Sequence, residues 1–209
     1  MSTFRFAIMG AGNIAHQFCD AVTLVEDCEV SAIASKDLGR AQKFAEECSV
    51  AHAYDNYEQM LIEEKPDCVY IAVTPNDHFR LTMLCLEHHV PVLCEKAMFT
   101  NSAEAKAVFE KAEKDQTFVM EAMWSRFLPA VNQAKKWAAE GKIGRLEALQ
   151  GRIGFLAPEG ADNRYHSPLL CGGAATDITV YAYEIATWLV NEPVRKTYAA
   201  ATLDQTGVV

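Results

Sequence analysis

Between residues 4 and 120 the chain alternates short apolar runs with longer segments whose apolar residues recur at helical spacing. The apolar runs predict strands at 4–9, 30–35, 51–54, 68–74, 91–94 and 117–120. The periodic segments predict helices at 13–24, 38–48, 55–63, 77–88 and 102–114. Strands that alternate with helices join into a parallel sheet through right-handed crossovers, and strands that are apolar nearly throughout have helices on both faces. We therefore predict an α/β fold whose first domain, residues 1–121, is a six-stranded doubly wound parallel sheet.

The alternation of apolar runs with helical segments ends after residue 121. A helix is predicted over 129–140, an extended stretch over 145–155, a second helix over 173–190 and a last strand over 194–202. These elements supply too few strands to close a sheet of their own. Residues 122–209 are therefore predicted to form a second, partial domain.

The composition is that of a globular protein, and it argues against two classes of chain. Half of the 209 residues are hydrophobic and 22% are charged, which excludes a disordered or fibrous protein. The chain has 19 Lys and Arg against 28 Asp and Glu, and its net charge of −9 has the wrong sign for a partner with a polyphosphate backbone. We expect no nucleic-acid partner, although a few backbone N–H groups and local cations can still hold a nucleotide cofactor.

The absence of a recognisable targeting segment and the scattered cysteines predict a cytoplasmic protein. The sequence has no stretch of about 18 uncharged apolar residues and no apolar N-terminal stretch of signal-peptide length. Its 7 cysteines are scattered, with no Cys-x-x-Cys pair and no matching His spacing. We therefore expect a soluble, cytoplasmic protein with reduced thiols, no bound metal and no membrane partner.

A glycine-rich turn follows the first predicted strand directly. Residues 10–15 read G-x-G-x-x-A between a predicted strand and a predicted helix. The first glycine permits the tight turn, the second lets the backbone approach a pyrophosphate, and the small last residue lets helix and strand pack closely. The alternative is an ordinary glycine-rich turn in a βα unit. The context favours a bound dinucleotide, with contacts from Gly10, Gly12, Asn13, Ile14 and Ala15.

The end of the second predicted strand bears on which dinucleotide is bound. An NAD enzyme usually places an acidic residue there, against the ribose 2′-hydroxyl. Here the strand ends at Ser35 and Lys36, and Arg40 follows one turn later, so a hydroxyl donor and two cations are available for a 2′-phosphate. NADP is therefore favoured over NAD. In the alternative, Asp37 binds the ribose and the cations are solvated.

Three further segments carry side chains suited to chemistry. Residues 74–78 (TPNDH) and 94–97 (CEKA) follow the fourth and fifth predicted strands, at the edge where a doubly wound sheet binds ligands. Residues 172–181 (GGAATDITVY) enter the last predicted helix. Asp177 and Tyr181 are four residues apart, which places them on one helix face, where they can converge on one small molecule.

Five ordered segments of the chain resemble the glucose-fructose oxidoreductase and inositol dehydrogenase family (Gfo/Idh/MocA). They are GAGNIA (10–15), TPNDH (74–78), VLCEK (92–96), MEAMWSRFLP (120–129) and GGAATDITVY (172–181). The fourth is most similar to the branch that contains dimeric trans-dihydrodiol dehydrogenases and NADP-dependent D-xylose dehydrogenases. The resemblance implies an N-terminal Rossmann domain and a C-terminal domain with a mainly antiparallel open sheet. It also implies NAD(P)-dependent hydride transfer to or from a hydroxyl-bearing carbon of a sugar, polyol or cyclic diol.

The resemblance implies roles for residues on the cofactor side. Lys96 would act as acid and base at the substrate oxygen, its pKa lowered by the nicotinamide cation and by partial burial. Glu95 would fix the loop and the cofactor. The segment after the fourth strand would contact the cofactor through Thr74, Pro75, Asn76 and His78, the last two along the nicotinamide ribose. In the alternatives, Lys96 is a surface lysine and His78 caps a helix start.

The resemblance also implies a substrate side and a partner. Asp177 and Tyr181 would bind or polarise the substrate hydroxyl, with Tyr181 standing where many family members have His, and Trp124 and Arg126 would line the cavity. In the alternatives, Asp177 pairs with a neighbouring cation and Trp124 is plain core. The implied partners are a small-molecule substrate and a second copy of the chain, which would form a dimer through the C-terminal sheet.

The chain departs from the family pattern at two points. Ala97 replaces the proline of Glu-Lys-Pro, and because a Lys–Ala bond does not become cis as readily as an X–Pro bond, we expect Lys96 to point differently. Family members are also substantially longer, so that an end at Val209 would leave strand edges open. We therefore expect either a longer gene product or a covering second chain, and weak or absent activity in the 209-residue form.

Two rival functions stay open beside the oxidoreductase. A non-catalytic NADP-binding regulator is compatible with Ala97 and with the short second domain. Methyl transfer from S-adenosylmethionine is compatible with a similar sheet, but it is disfavoured because Ser35 and Lys36 replace the acid that a neutral ribose would attract.

Overall fold

The structure is a computed structural model, and it describes residues 3–158, 160 and 163–208. The chain divides into two compact units, Met1–Ala122 and Met123–Val209. Each unit has its own packing and is described by itself.

The first unit is built on one parallel sheet of six strands. Its strands are β1 (Phe4–Met9), β2 (Cys28–Ala34), β3 (His52–Tyr54), β4 (Cys68–Ile71), β5 (Val92–Cys94) and β6 (Val119–Glu121). The strand order is β3-β2-β1-β4-β5-β6, and every neighbouring pair is parallel. The prediction of a six-stranded doubly wound sheet is confirmed.

Five helices connect these strands, as the periodicity of apolar residues predicts. They are α1 (Asn13–Val22), α2 (Leu38–Cys48), α3 (Tyr57–Glu64), α4 (His78–Glu87) and α5 (Ser102–Lys114). A short 3-10 turn, Pro75–Asp77, precedes α4. The helix positions confirm the predictions to within a few residues at each end, which is the usual uncertainty of a helix boundary.

Both faces of the sheet are buried, which explains why its strands are apolar nearly throughout. Successive side chains of a strand point to opposite faces. Ile8 and Tyr70 therefore pack with Phe44 on one face, while Met9 and Ile71 pack on the other. Ile8, Met9 and Ile71 have 0% exposure, and full burial of such a side chain stabilises the fold by about 1.5–3 kcal/mol.

The order of the strands fixes where a ligand can bind. From β1 the chain proceeds outward through β2 and β3, and it then returns to β4 on the other side of β1. Helices on either side of this reversal diverge, which leaves a crevice outside the carboxyl ends of β1 and β4. Gly10 closes β1 at this point, and its N–H donates to the carbonyl of Ala34 at 2.8 Å.

The second unit is helical in its described part. Its helices are α6 (Pro129–Ala139), α7 (Ala174–Asp177) and α8 (Thr179–Val190), with 3-10 turns at Trp124–Phe127, Arg164–His166 and Pro168–Leu170. The single helix predicted over 173–190 is wrong, because the backbone leaves helical geometry at Ile178, with φ −125° and ψ −30°. Asp177 and Tyr181 consequently lie on separate helices.

The strand predicted in the second unit is not formed by its described residues. The strand predicted over 194–202 pairs with no other strand of the described residues, so that prediction is wrong, and the extended stretch predicted over 145–155 also forms no strand ladder. A strand requires a hydrogen-bonded neighbour, and within the described part of 123–208 the two stretches have none in a ladder. Among the described helices of the chain, none combines the length and apolar character needed to cross a membrane.

Substitution by alanine should have different effects on stability at the two glycines of the turn after β1. Gly10 has φ +110°, and a Cβ built there lies 2.8 Å from the backbone of Ala72, whereas a Cβ on Gly12 lies no closer than 3.9 Å to the carbonyl oxygen of Ala72. Gly10→Ala should therefore lower the free energy of unfolding by about 1–3 kcal/mol or more.

Gly12→Ala is the matched control, because its backbone conformation suits any residue. In urea unfolding it should stay within about 0.5 kcal/mol of the parent chain. Equal destabilisation by the two substitutions would contradict the close approach of Gly10 to Ala72.

Candidate cofactor site and substrate-side cluster

Four segments of the first unit end at the same edge of the sheet. Because all six strands are parallel, the residues after β1, β2, β4 and β5 lie beside one another at the carboxyl edge. The segments are 10–15, 35–40, 74–78 and 95–98, and they contain every residue of the first unit that the sequence predicts for the site.

The first segment presents the N-terminus of α1 to the crevice. Gly12 is the N-cap residue, and no side chain of the described residues caps the helix there. The first N–H groups of a helix have no intrahelical partner and carry a partial positive charge, so they suit a phosphate group. Since a Cβ at Gly12 would meet no atom closer than 3.9 Å, there is room for a pyrophosphate to approach the backbone. Asn13 and Ile14 are exposed at this helix end, and Ala15 is buried against the sheet.

The second segment holds the predicted cations at the rim of the crevice. Ser35 is buried, and its N–H donates to the carbonyl of Tyr54 at 3.0 Å. Arg40 reaches back to the glycine turn, where Nη2 donates to the carbonyl of Ala11 at 3.3 Å. Asp37 caps α2 by accepting from the N–H of Arg40 at 2.8 Å. One oxygen of the Asp37 carboxylate, which binds the ribose in the NAD alternative, is therefore already bonded to the N-terminus of α2.

Asp77 is a charge that the sequence analysis did not single out. Its carboxylate meets Lys36 Nζ at 2.6 Å and Arg80 Nε at 2.9 Å. The hydrogen bond from Arg80, followed by the one from Lys36, holds the pKa of Asp77 below its ordinary range. The ion pair connects the end of β2 to the segment after β4, and it places Lys36 at the rim of the crevice.

His78 lies in the interior of the first unit. Its side chain has 0% exposure, and both ring nitrogens face backbone carbonyls. This placement differs from the prediction that His78 lies along the nicotinamide ribose. It also differs from the helix-cap alternative, because no side chain of the described residues caps α4. Of the same segment, Thr74 is half-buried, Pro75 is buried and Asn76 is exposed.

The segment that carries Lys96 is held by buried polar groups. Glu95 is 8% exposed and accepts from the Tyr70 hydroxyl at 2.7 Å and from the N–H of Lys96 at 3.1 Å. Burial raises the pKa of the Glu95 carboxyl, and the Tyr70 hydrogen bond opposes that shift. The N–H of Met98 donates to Glu121 Oε1 at 2.9 Å. The Lys96–Ala97 peptide bond is cis, although replacement of the family's proline by alanine gives the sequence no signal for it.

The second unit brings together two of the predicted substrate residues directly. Trp124 Nε1 donates to the Tyr181 hydroxyl at 2.9 Å, and the two rings meet edge to face with centroids 5.8 Å apart. Tyr181 is 8% exposed, whereas Trp124 is 54% exposed. Trp124 is therefore not plain core, and an exposed indole remains available on this face.

Arg126 contacts α8 about one helical turn after Tyr181. Its Nε donates to the carboxylate of Glu184, which also accepts from the Ser125 hydroxyl at 3.0 Å. The guanidinium carbon lies 4.4 Å from the centroid of the Trp188 ring, and Lys135 Nζ approaches the same ring at 3.0 Å. Because Glu184 is only 7% exposed, its charge needs these partners. Glu184 was not predicted from the sequence.

Asp177 lines a cavity within the second unit. The cavity has a volume of about 280 Å³ and is lined mainly by apolar groups, with Asp177, Tyr165 and His166 among its polar residues. Asp177 is 7% exposed, and its carboxylate lies 3.5 Å from Arg164 Nη1. The cation pairing foreseen as an alternative is therefore present, and the carboxylate still borders a space of small-molecule size.

A crevice at the topological switch point, a glycine turn and an uncapped helix N-terminus define a dinucleotide-binding α/β protein. Comparison with known families gives the same class. Residues 4–123 match the GFO_IDH_MocA family, described as an oxidoreductase family with an NAD-binding Rossmann fold, and residues 131–209 match the GFO/IDH/MocA C-terminal domain. The chain belongs to this family, which confirms the resemblance read from the five motifs.

Similar proteins of known class include two dehydrogenases and one solved structure. A trans-1,2-dihydrobenzene-1,2-diol dehydrogenase of Mus musculus is 31% identical over 210 residues, which is 98% of this chain and 62% of that protein. A D-xylose 1-dehydrogenase (NADP(+)) of Haloferax volcanii is 31% identical over 197 residues, 94% of this chain and 60% of that protein. The chain thus spans about three fifths of the length of these relatives. An NAD-binding protein from Listeria innocua has the same fold, with a TM-score of 0.81 at 22% identity over 91% of this chain and 56% of that one.

The ion pairs of Asp77 predict how the free energy of unfolding depends on pH. Because the pKa of Asp77 is lowered in the folded state, its ion pairs stabilise the protein above its ordinary pKa of 3.8, and this contribution is lost as the pH falls through the lower, folded-state value. Asp77→Asn should lower the free energy of unfolding at pH 7 by up to about 1 kcal/mol, since both cations are largely exposed.

Urea unfolding between pH 2 and pH 7 checks this expectation. The difference between Asp77→Asn and the parent chain should be constant near neutrality and shrink below pH 3.8. Asp37→Asn is the control, because asparagine keeps the cap oxygen of α2 and leaves Asp77 unchanged. A difference that does not shrink as the pH falls through this range would contradict stabilisation by the ionised carboxylate of Asp77.

Proposed function

We propose that the chain is part of an NADP-dependent oxidoreductase that transfers a hydride between the nicotinamide and a hydroxyl-bearing carbon of a sugar, polyol or cyclic diol. The observation that carries the proposal is the uncapped N-terminus of α1 behind Gly12, set at the switch point of the sheet. In the proposal, residues 1–121 hold the cofactor and residues 122–209 contribute to the substrate side. The names of the two relatives, a diol dehydrogenase and a sugar dehydrogenase, support this substrate class.

The residues of the first unit fit a dinucleotide. Gly10 makes the turn, the N–H groups of Gly12, Asn13 and Ile14 would donate to the phosphates, and Ala15 is buried where α1 packs against the sheet. Thr74, Pro75 and Asn76 would form the wall beyond β4, and Glu95 would support the loop of β5.

Lys36 and Arg40 favour NADP over NAD. They place two cations near the end of β2, and Ser35 adds a hydroxyl. The engagement of Asp37 in the α2 cap supports the same choice, because a carboxylate facing the ribose would repel a 2′-phosphate. The NADP(+) in the name of the Haloferax volcanii relative agrees with it.

Lys96 is proposed as the acid and base of the reaction. When bound, the nicotinamide supplies the acceptor or donor of the hydride. The Lys96 amine takes the proton from the substrate hydroxyl in the direction of oxidation and returns it in the direction of reduction. Its half-buried position at the end of β5 suits a group that must reach both the crevice and solvent.

Four residues of the second unit are proposed to bind the substrate. Asp177 and Tyr181 would hold its hydroxyl groups, while Trp124 and Arg126 would line the space around it. The anchoring of Trp124 on Tyr181 and of Arg126 on Glu184 supports fixed positions for both side chains. A dimer formed through a C-terminal sheet stays a prediction, because the described residues of this unit form no strand.

Removal of the Lys36 charge tests the choice of cofactor. Lys36→Ala should weaken NADPH binding by about tenfold, equivalent to about 1.4 kcal/mol, because one charge near the 2′-phosphate is lost. NADH binding should change little. Fluorescence titration of both coenzymes measures the two dissociation constants.

Lys43→Ala is the control for this experiment. Lys43 lies on α2, the helix that follows Lys36, its side chain is 76% exposed, and its Nζ lies 3.7 Å from Glu47. Its loss should leave both dissociation constants unchanged. An equal loss of NADH and NADPH affinity in Lys36→Ala, or tighter binding of NADH by the parent chain, would reject the preference for NADP.

Substitution of Lys96 tests the proposed chemistry. Lys96→Ala should lower kcat for alcohol oxidation by about 10²–10⁴-fold, the usual contribution of a general acid or base, while NADPH affinity is retained. Lys96→Arg should fail similarly, since arginine keeps the charge but does not release its proton. The assay follows NADP reduction with a panel of polyols, aldoses and cyclic diols.

Two results would overturn parts of the proposal. Undiminished turnover in Lys96→Ala would remove this residue from its role. Tight NADPH binding by the parent chain without turnover of any alcohol, together with a protein partner, would favour the regulatory alternative instead.

A further inference from the structure

The backbone of residues 96–98 is bound on several sides by side chains from other elements. The N–H of Lys96 donates to Glu95, the N–H of Met98 donates to Glu121, and the carbonyls of Ala97 and Met98 face His78. These side chains come from α4, β6 and the end of β5. The segment that carries the proposed acid and base is therefore held by specific polar contacts rather than by apolar packing alone.

His78 connects this segment to the loop after β4. Its Nδ1 lies 3.0 Å from the carbonyl oxygen of Ala97 and 3.1 Å from that of Met98, and its Nε2 lies 3.0 Å from that of Val73. The ring is completely buried, so water cannot replace these contacts. The two loops bridged by the ring follow β4 and β5, which are neighbours in the sheet.

We infer that His78 and Glu121 are positioning residues for Lys96: they fix the backbone of Ala97 and Met98 and thereby the direction in which the lysine reaches the crevice. This inference rests on the proposed role of Lys96. In this inference, neither the His78 nor the Glu121 side chain touches the reacting atoms. They act through the backbone, where a displacement of about 1 Å can reduce turnover by about 10²-fold.

The chemistry of the imidazole determines which of its two contacts matters most. Burial lowers the pKa of His78, so the ring is neutral near pH 7 and carries one N–H. A proton on Nδ1 is shared by two carbonyls of the Lys96 segment, whereas a proton on Nε2 would serve only Val73. The inference requires the Nδ1–H form, in which the hydrogen bond is donated to the segment of Lys96.

Two substitutions separate these contacts. An asparagine amide nitrogen can occupy the position of Nδ1, and a glutamine amide nitrogen can occupy that of Nε2. His78→Asn should therefore keep a donor to Ala97 or Met98, whereas His78→Gln should direct its donor to Val73 and leave both carbonyls of the Lys96 segment without one. We expect kcat of the glutamine variant to fall by about 10- to 100-fold, with the asparagine variant retaining most of the parent value and NADPH affinity equal in both.

Glu121 provides a second test that does not depend on a completely buried site. It is half-buried at the end of β6, where Oε1 accepts from Met98. Glu121→Gln keeps an oxygen acceptor and should retain kcat, whereas Glu121→Ala loses it and should lower kcat with unchanged NADPH affinity. If both His78 variants fail to fold, this pair decides the inference.

Hydrogen–deuterium exchange of the peptide covering residues 95–99 distinguishes failure of the inference from failure of the proposed function. Faster exchange in His78→Gln and Glu121→Ala, but not in His78→Asn and Glu121→Gln, supports positioning even if the parent chain turns over no alcohol. Equal kcat and equal exchange within each pair would overturn the inference. Equal loss of kcat in both members of each pair would also overturn it, because that result indicates a merely structural role.

Discussion

The close approach of Gly10 to the backbone of Ala72 is the constraint on which the ligand site depends. The chain must turn sharply after β1 and pass beside the end of β4, and a side chain on Gly10 would collide with the Ala72 carbonyl at 2.8 Å. Only with this turn does α1 begin directly above the sheet. The first N–H groups of α1 have no intrahelical partner, and no side chain of the described residues caps them.

Buried polar groups surround this crevice and give its loops fixed positions. Glu95, His78 and Ser35 are all nearly inaccessible to water: Glu95 accepts from Tyr70 of β4, the His78 ring faces the carbonyls of residues 97 and 98, and the N–H of Ser35 donates to Tyr54 of β3. An unpaired group at such a site would cost about 1–3 kcal/mol, so the loops cannot move apart without losing stability. At the rim, Asp77 pairs with Lys36 and so fixes the position of the lysine beside the end of β2.

The sheet could be predicted from the sequence because its signals are local. Apolar runs such as CVYI of β4 are buried on both faces, and the glycine pattern follows β1 directly. The break at Ile178 has no comparable signal, since residues 173–190 keep a helical pattern across it. The strand expected at 194–202 also depended on pairing, which a segment's own residues do not determine.

The candidate site was predictable as a set of loops, but not in its internal contacts. The sequence places Lys96 and His78 after neighbouring strands, and it does not reveal that the His78 ring turns inward to the carbonyls of residues 97 and 98. Asp77, Glu121 and Glu184 were missed for the same reason. Each acts through a partner distant in sequence, and the only available signal was an acidic residue at the end of a strand or within an apolar helix.

The central claim is that the N-terminus of α1 binds the pyrophosphate of a nicotinamide dinucleotide. Amide chemical shifts of the ¹⁵N-labelled chain, recorded during titration with NADPH, test it most directly. Saturable shifts that are largest at Gly12, Asn13 and Ile14 are the predicted result. Amides of this turn that remain unmoved by NADPH, NADP⁺ and NAD⁺ alike would contradict the claim.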